Sequence, residues 1–262
     1  MIIKELVHIK KLNVLRNQYS RHSLNFDGVD ERVDVPHIAA HDVGADDTFS
    51  MSMWVKIDNA GHVHGLLRKG VTSTGINLLA INTNRGIIIR LRGGAYADGQ
   101  TLEVYSPNSV IPINIWTHIC FTYDATRSNI PPLEAIKFFV NGVKVTTSTP
   151  TARRSLGIAY DFFNTGVLTL GQGAGGEKLE GNMDEFRFWN RELTTQEVID
   201  DYNFGKPTLV QGAPGPILDC QLGDNAIIVG PNFTMPDVTG NTTPLTPINM
   251  EVIDIKIDSP PS

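Results

Sequence analysis

Apolar and polar residues alternate through the middle of the chain. In the segment 48–57, every second position is apolar, and Ser50, Ser52, Trp54 and Lys56 occupy the positions between. Successive side chains of a β-strand point to opposite faces, so this pattern predicts a strand with one buried face. Further strands are predicted in the segments 86–93, 116–124, 138–145, 167–171 and 183–189. The chain is therefore predicted to be rich in β-structure.

Local signals predict one hairpin turn and one short helix. Asn-Gly at 141–142 separates two apolar runs and favours a two-residue type I′ turn. Thr194 and Glu197 have capping-box spacing, and Val198, Ile199 and Tyr202 follow as an apolar stripe. A glycine and a proline then end the predicted helix near residue 205. Many strands with one short helix indicate a sandwich of two antiparallel sheets with wet outer faces.

The distribution of proline divides the chain into three parts. Residues 1–19 form a mildly basic N-terminal arm, residues 20–205 carry the strand patterns, and residues 206–262 hold nine of the fifteen prolines. Proline cannot donate to a sheet ladder, so the last part is predicted to be an extended C-terminal arm. Apolar clusters at 226–229 and 252–257 favour an arm docked on the body or on a partner. A flexible tail is the alternative.

Composition excludes several functional classes. The chain has 262 residues, 41% hydrophobic residues and a net charge of -6, which argues against global disorder and against nucleic-acid binding. No apolar run reaches the length of a membrane span, and the N-terminus lacks the order of features typical of a signal peptide. The two cysteines, Cys120 and Cys220, are too few for a disulfide scaffold, and Cys120 is predicted to be a buried free thiol.

Five segments have a recognisable order: SLNFDGVDERVDVP at 23–36, FSMSMWV at 49–55, WTHICFTYD at 116–124, FVNGV at 139–143 and GNMDEFRFWNRELT at 181–194. In that order they resemble the signature segments of laminin-G-like, concanavalin A-type jelly-roll domains. The resemblance covers residues 20–205. It implies an all-β, two-sheet antiparallel jelly-roll sandwich with one short helix, here flanked by extended terminal arms.

The resemblance implies several functional classes, because members of this family include carbohydrate-binding modules, adhesion domains, some glycosidases and bacteriophage virion proteins. We predict a non-enzymatic virion structural or surface protein of a bacteriophage, such as a head decoration, a head fibre or a tail-associated subunit. Such a protein is assembled in the host cytoplasm, which needs neither a signal peptide nor disulfides. The expected partners are other virion subunits contacted through the arms, a homo-oligomeric copy and a surface glycan, without nucleic acid or membrane.

Two alternatives remain beside the virion protein. The first is a free carbohydrate-binding or adhesion module, which would be extracellular. The second is a glycoside hydrolase, which needs two carboxyls separated by about 5–9.5 Å on one face. The acidic cluster comprises Glu177, Glu180, Asp184 and Glu185, and strict alternation sends the last two to opposite faces. No catalytic residue is therefore predicted.

Outward-facing residues of the predicted strands are the candidates for glycan binding. Aromatic rings stack on the apolar sides of sugars, and arginine makes directed hydrogen bonds. By alternation, Trp54, Arg90, Arg92 and His118 lie on polar faces and are the predicted ligand-binding residues. The alternative is an ordinary solvated sheet face, or one covered by the terminal arms.

A structural calcium ion is the predicted cofactor. The resemblance implies that the first and last strands of the domain are neighbours, which would bring the turn at 27–30 near Asp184 and make Asp30 and Asp184 the side-chain ligands. The alternative is that the turn and Asp184 serve local hydrogen bonds. A zinc site among His37, His41, His62, His64 and His118 is a further possibility, but His62 and His64 are better explained as an exposed loop pair.

Overall fold

The computed structural model describes residues 22–44, 46–59, 61–71, 74–80, 86–93, 100–124, 126, 135–146, 153–154, 162–204, 214–258 and 260. The predicted N-terminal arm, residues 1–19, lies outside these residues, as do residues 206–213 of the predicted C-terminal arm.

Eighteen strands and one α-helix, α1 (Thr195–Phe204), are found in the described residues. The strands are β1 (Ser23–Asp27), β2 (Arg32–Val35), β3 (Phe49–Ile57), β4 (His64–Val71), β5 (Thr74–Ala80), β6 (Ile87–Arg92), β7 (Gln100–Tyr105), β8 (Thr117–Tyr123), β9 (Ile136–Val140), β10 (Val143–Val145), β11 (Arg153–Arg154), β12 (Leu168–Leu170), β13 (Glu180–Trp189), β14 (Leu218–Cys220), β15 (Ile227–Val229), β16 (Asn232–Thr234), β17 (Thr246–Ile248) and β18 (Ile255–Lys256). Within this part of the chain, no helix is both long and apolar enough to cross a membrane.

Two large antiparallel sheets form the body. Sheet I has the order β10-β9-β8-β3-β13-β1-β18, with β14 also paired to β13. Sheet II has the order β11-β7-β6-β5-β4-β12-β2-β17. The prediction of an all-β, two-sheet jelly-roll sandwich with one short helix is confirmed. A separate small hairpin, β15-β16, lies beside the two sheets.

The core lies between the two sheets and contains the apolar sets that alternation predicted. Phe49 and Met51 of β3 and Phe121 of β8 are fully buried in it. The rings of Phe49 and Phe121 meet edge to face with their centroids 5.9 Å apart, a geometry that adds to the gain from burial. Each buried aromatic of this kind contributes about 1.5–3 kcal/mol by leaving water.

The predicted hairpin and helix start are both present. Asn141 and Gly142 have φ values of 50° and 75°, as a type I′ turn requires. At the start of α1, the Thr194 backbone N–H donates to the Glu197 carboxylate at 2.9 Å, and the Glu197 N–H donates to Thr194 Oγ1 at 3.2 Å. This is the reciprocal capping box that the spacing predicted.

The described part of the C-terminal arm belongs to the sheets. β14 pairs with β13, β17 pairs with β2, and β18 pairs with β1. β1 and β14 lie end to end along the same edge of β13. β1 pairs with residues 180–183 of β13, and β14 pairs with residues 186–188. The tail thus docks on the body, as its apolar clusters favoured. It does so through short strands that extend both sheets and suit its proline content.

The cysteines form no disulfide. Cys120 and Cys220 are both free and buried, which confirms the prediction for Cys120. Burial raises the pKa of each thiol well above its ordinary value, so neither is a reactive thiolate at neutral pH.

Candidate functional site

The outer face of sheet I is covered by α1. Trp54 of β3 is 3% exposed and His118 of β8 is 1% exposed. The Tyr202 ring of α1 stacks on Trp54, with ring centroids 5.5 Å apart. Beside them, Leu193, Val198, Cys120, Phe139 and Trp189 form a second apolar cluster. Sequence alternation predicted an open polar face here. That prediction is wrong for Trp54 and His118, because the helix buries the face that carries them.

A charged network lies beneath the helix. Arg187 donates to Asp201 Oδ1 at 2.8 Å and also pairs with the Glu185 carboxylate. Its Nε lies 3.3 Å from Asp219 Oδ1. His118 Nε2 lies 3.0 Å from Asp201 Oδ2. All five residues are buried, so three carboxylates surround one guanidinium with almost no contact with solvent.

Burial sets the protonation of this network. It raises the pKa of Glu185 to about 7, although the Arg187 charge opposes the shift. Burial acts in the same direction on Asp201, but the charge of Arg187 and the hydrogen bonds from His118 and Ser52 together outweigh it and hold the Asp201 pKa below its ordinary value. The network is a structural element that fixes α1 on sheet I, because substrates have no access to groups buried this deeply.

A β-bulge in β13 creates the network. The register with β3 shifts between Asp184 and Arg187, so that Glu185 and Phe186 together oppose one residue of β3. Glu185 has φ 51°, in the left-handed region. Asp184 is paired with Trp54 on the helix side, and Glu185 reaches Arg187 on that same side. The prediction that Asp184 and Glu185 point to opposite faces is therefore wrong.

The protonation of Glu185 makes a testable contribution to stability. The folded-state pKa of about 7 exceeds the ordinary value of 4.5, so the folded protein binds this proton more tightly than the unfolded chain. This contribution is complete below about pH 4.5 and is lost as the pH rises through about 7. We expect the free energy of unfolding of wild type, relative to Glu185→Gln, to fall across that interval. Urea titrations at several pH values measure it, and a constant difference would contradict the assignment.

The other two predicted ligand residues lie on the outer face of sheet II. Arg90 Nε is 2.6 Å from Glu103 Oε1 on the neighbouring strand, and Arg92 follows on the same face of β6. The structure therefore brings Arg90 and Arg92 together and places Trp54 and His118 on the opposite side of the sandwich. The four predicted residues do not form one site.

The outer face of sheet II carries a row of polar side chains. Strand register aligns this row across six neighbouring strands, and its members are Glu103, Arg90, Asn77, Arg68, Thr169 and Asp34. α1 lies on the other sheet. In this row Arg90, Arg68 and Asp34 are partly exposed, whereas Glu103, Asn77 and Thr169 are buried. The loop after β12 touches the row where the Ala174 N–H donates to Asn77 Oδ1 at 3.0 Å. Arg68, Asn77 and Asp34 were not among the predicted residues, because cross-strand register is not visible in the sequence.

The predicted calcium ligands do not converge. β1 and β13 are neighbours, as expected, but Asp27 pairs with Glu180. Asp184 lies four residues farther along β13, about 13 Å away, while Asp30 lies beyond Asp27 in the opposite direction. Across the described residues, no group of three or more His, Cys, Asp or Glu side chains is arranged to hold a metal ion. Asp30 and Asp184 therefore do not fit a shared calcium site.

Of the histidine pair, His62 lies in the loop before β4, whereas His64 is the first residue of β4. The ring centroids of His62 and His64 are 4.3 Å apart. His64 is fully buried at the start of β4, where Nε2 contacts the Asn59 carbonyl at 3.0 Å and Nδ1 accepts the Glu180 N–H at 3.2 Å. Both ring nitrogens of His64 are thus engaged by the backbone. The expectation of an exposed pair is wrong for His64 and fits His62, whose side chain is 43% exposed.

A family model of laminin G type, described as the concanavalin A-like lectin/glucanases superfamily, matches residues 27–199. The chain belongs to this superfamily. The concanavalin A-like match ends within α1, so β14, β17 and β18 are additions beyond the matched span. No curated protein matches the chain.

Two solved structures of concanavalin A-like shape illustrate the likeness. One is a candidate carbohydrate-binding protein from Bacteroides ovatus, with a TM-score of 0.60 and 19% identity, which covers 93% of this chain. This chain spans 61% of that protein. The other is a heptameric pentraxin from Limulus polyphemus, with a TM-score of 0.50 and 13% identity, covering 70% of this chain and 82% of its own. At these identities the likeness concerns the fold alone.

Proposed function

We propose that this concanavalin A-like protein binds carbohydrate through the outer face of sheet II and serves as a surface subunit of a bacteriophage particle. One observation carries the glycan proposal. α1 closes the outer face of sheet I, whereas the outer face of sheet II presents partly exposed guanidinium and carboxylate groups, those of Arg68, Arg90 and Asp34. Such groups make the directed hydrogen bonds by which proteins orient polar ligands.

The protein is proposed to act without catalysis. Of the acidic residues considered for a hydrolase, Asp184 is fully buried and Glu185 is paired with Arg187. Glu180 is in contact with Asn59 and His62 at the opposite end of β13. Binding rather than turnover is therefore the activity we assign, and hydrolysis of an array glycan would contradict it.

A glycan array tests the binding proposal. We expect wild type to bind a subset of glycans and Arg92→Gln to bind them about tenfold more weakly, the effect of losing a charge-assisted hydrogen bond. Lys144→Gln is the matched control, because Lys144 is an exposed residue of β10 on the edge of sheet I. Wild-type binding that both variants retain would contradict the use of this face. Trp54→Ala is unsuitable, because a buried tryptophan reports on stability.

The proposal of a particle subunit rests on an exposed apolar strand. Ile227, Ile228 and Val229 of β15 are 52%, 55% and 72% exposed. Within the described residues, β15 pairs only with β16, which leaves its other edge open. Contiguous apolar surface on an open strand edge is typical of a contact with another subunit. A neighbouring copy in a particle would cover it.

Two experiments test this second part. Light scattering should show that wild type self-associates and that Ile228→Lys/Val229→Lys remains monomeric with an unchanged melting temperature. A monomeric wild type would contradict self-association. Mass spectrometry of purified phage particles from the same source should detect the chain. If the chain is found only in the soluble fraction and binds glycans there, it is a free carbohydrate-binding module.

A further inference from the structure

Three basic side chains gather on the outer face of sheet II, where β4, β12 and β2 run side by side. Arg68 of β4 is aligned with Thr169 of β12, which is aligned with Asp34 of β2. Arg32 lies two residues before Asp34 and so shares its face of β2. Adjacent strands are about 4.8 Å apart, which separates the β4 and β2 backbones by about 10 Å. Two arginine side chains can reach across that distance to one small group.

Lys178 is held at the same place by the loop after β12. The Gly173 N–H donates to the Glu177 carbonyl at 2.8 Å, and Gln172 forms a β-bridge with Lys178, so residues 172–178 fold back on themselves. This loop packs directly on β4. A Cβ added to Gly65 would lie 2.0 Å from the Gly173 nitrogen, a contact that only glycine permits. The loop is therefore held in a fixed position beside Arg68.

Two of the three cations in this cluster have no ion-pair partner among the described residues. Arg32 Nε lies 3.4 Å from Asp34 Oδ1, which also accepts the Thr169 hydroxyl at 3.0 Å. Arg68 and Lys178 form no hydrogen bond or ion pair with another described residue, and Arg68 Nε is buried without a partner. Asp34 is the one carboxylate paired with a cation of the cluster, and Asp27 and Asp30 lie close enough to act on Lys178.

The local electrostatics favour a bound anion. Burial and the charges of Arg32 and Arg68 lower the pKa of Lys178, and Asp30 and Asp27 oppose this more weakly. An anion placed between the three side chains would relieve the repulsion among them and would supply Arg68 with an acceptor.

We propose that Arg32, Arg68 and Lys178 bind a carboxylate or sulfate group of an acidic glycan. The inference rests on the glycan binding proposed above and specifies its chemical class. A guanidinium fork matches both carboxylate and sulfate, and a patch about 10 Å wide suits one charged group of a sugar chain. A long nucleic acid is disfavoured, because its many phosphates would face the net negative charge of the protein.

Calorimetric titration with paired probes tests the site. Oligogalacturonate and its methyl ester differ in carboxylate charge, and dextran sulfate and dextran differ in sulfate charge. Wild type is expected to bind at least one acidic probe about tenfold more tightly than its neutral partner. Which acidic probe binds identifies the anion. Arg68→Gln and Lys178→Gln should each remove most of this preference, whereas Lys144→Gln, with the same loss of charge, should keep it.

The outcomes separate this inference from the proposed function. Thermal melts establish that each variant folds, and Lys178→Gln, in a loop, provides the test if Arg68→Gln does not fold. Equal binding of acidic and neutral probes, or full binding by the folded variants, overturns the anion site and leaves glycan binding intact. If neither these probes nor any array glycan binds wild type, the proposed function fails as well. Tighter binding of duplex DNA than of the acidic sugars would reassign the patch to nucleic acid.

Discussion

Replacing Arg187 with methionine is expected to lower the free energy of unfolding by about 3–5 kcal/mol. The substitution removes the only cation of the described network that pairs with Glu185, Asp201 and Asp219, and it leaves three buried carboxyls facing one another. Methionine nearly fills the space, so the loss reports charge rather than volume. Urea denaturation at pH 7.5 measures the effect. The difference in free energy of unfolding between wild type and Arg187→Met should be smaller near pH 5, because the carboxyls take up protons more readily there.

Lys137→Met is the control for this experiment. Lys137 pairs with Glu192, and both side chains are more than a fifth exposed. An ion pair in contact with solvent contributes about 0–1 kcal/mol, so this variant should remain close to wild type. An Arg187→Met protein as stable as Lys137→Met would show that the network contributes little to holding α1 on sheet I.

Replacing Gly181 with alanine is expected to cost roughly 3 kcal/mol or more, because the new methyl group meets backbone atoms that cannot move aside. Gly181 has φ 136°, and its added Cβ would lie 2.2 Å from the Lys56 carbonyl oxygen and 2.9 Å from Ile57 Cα. These atoms belong to β3, the strand that pairs with β13 at this point. Relief of the clash would separate the two central strands of sheet I. Thermal and urea unfolding measure the loss.

Gly230→Ala separates conformational strain from steric clash. Gly230 also has a positive φ, 64°, but its added Cβ would meet nothing within 4 Å. This variant should lose only about 1 kcal/mol of the free energy of unfolding, because alanine disfavours a positive φ. If the two alanine variants lose the same stability, the close approach of β13 and β3 at residue 181 is not as described.

The sequence was a good guide to the fold, because the signals that build it are local. Alternation at 49–55 and 116–124 depends only on the pleat of a single strand. The Asn-Gly turn and the Thr194 capping box depend on a few adjacent residues. Each was predicted at the correct position. The family resemblance added the order of the segments, which periodicity alone does not provide.

The site was harder to predict, because it depends on contacts between distant segments. Alternation places Trp54 on the face opposite the core but cannot reveal that α1, more than 140 residues later, returns to cover it. The bulge at Glu185 changes which residues of β13 face the helix, and no local signal in the sequence marks it. The cluster of Arg32, Arg68 and Lys178 forms because strand register aligns β2 with β4 and because the loop at 172–178 packs on β4.

The position of the C-terminal segment was predicted only in part, for a related reason. Its prolines argue against central strands, and the structure indeed uses it only in short strands of two or three residues. Short strands can nevertheless complete a sheet, and three of them do so here along β13, β2 and β1. Composition shows which structures a segment cannot form, but it does not show which strands of the sheets the segment can pair with.

The central claim is that the ligand face of this concanavalin A-like protein is the outer face of sheet II. Hydrogen–deuterium exchange with and without whichever acidic probe, oligogalacturonate or dextran sulfate, binds more tightly tests it most directly, because exchange is read along the whole chain in one experiment. We predict slower exchange in β4, β12 and residues 172–178, with no change in β3, β8 or α1. Slower exchange confined to α1 and sheet I, or no change anywhere at saturating ligand, would contradict the claim.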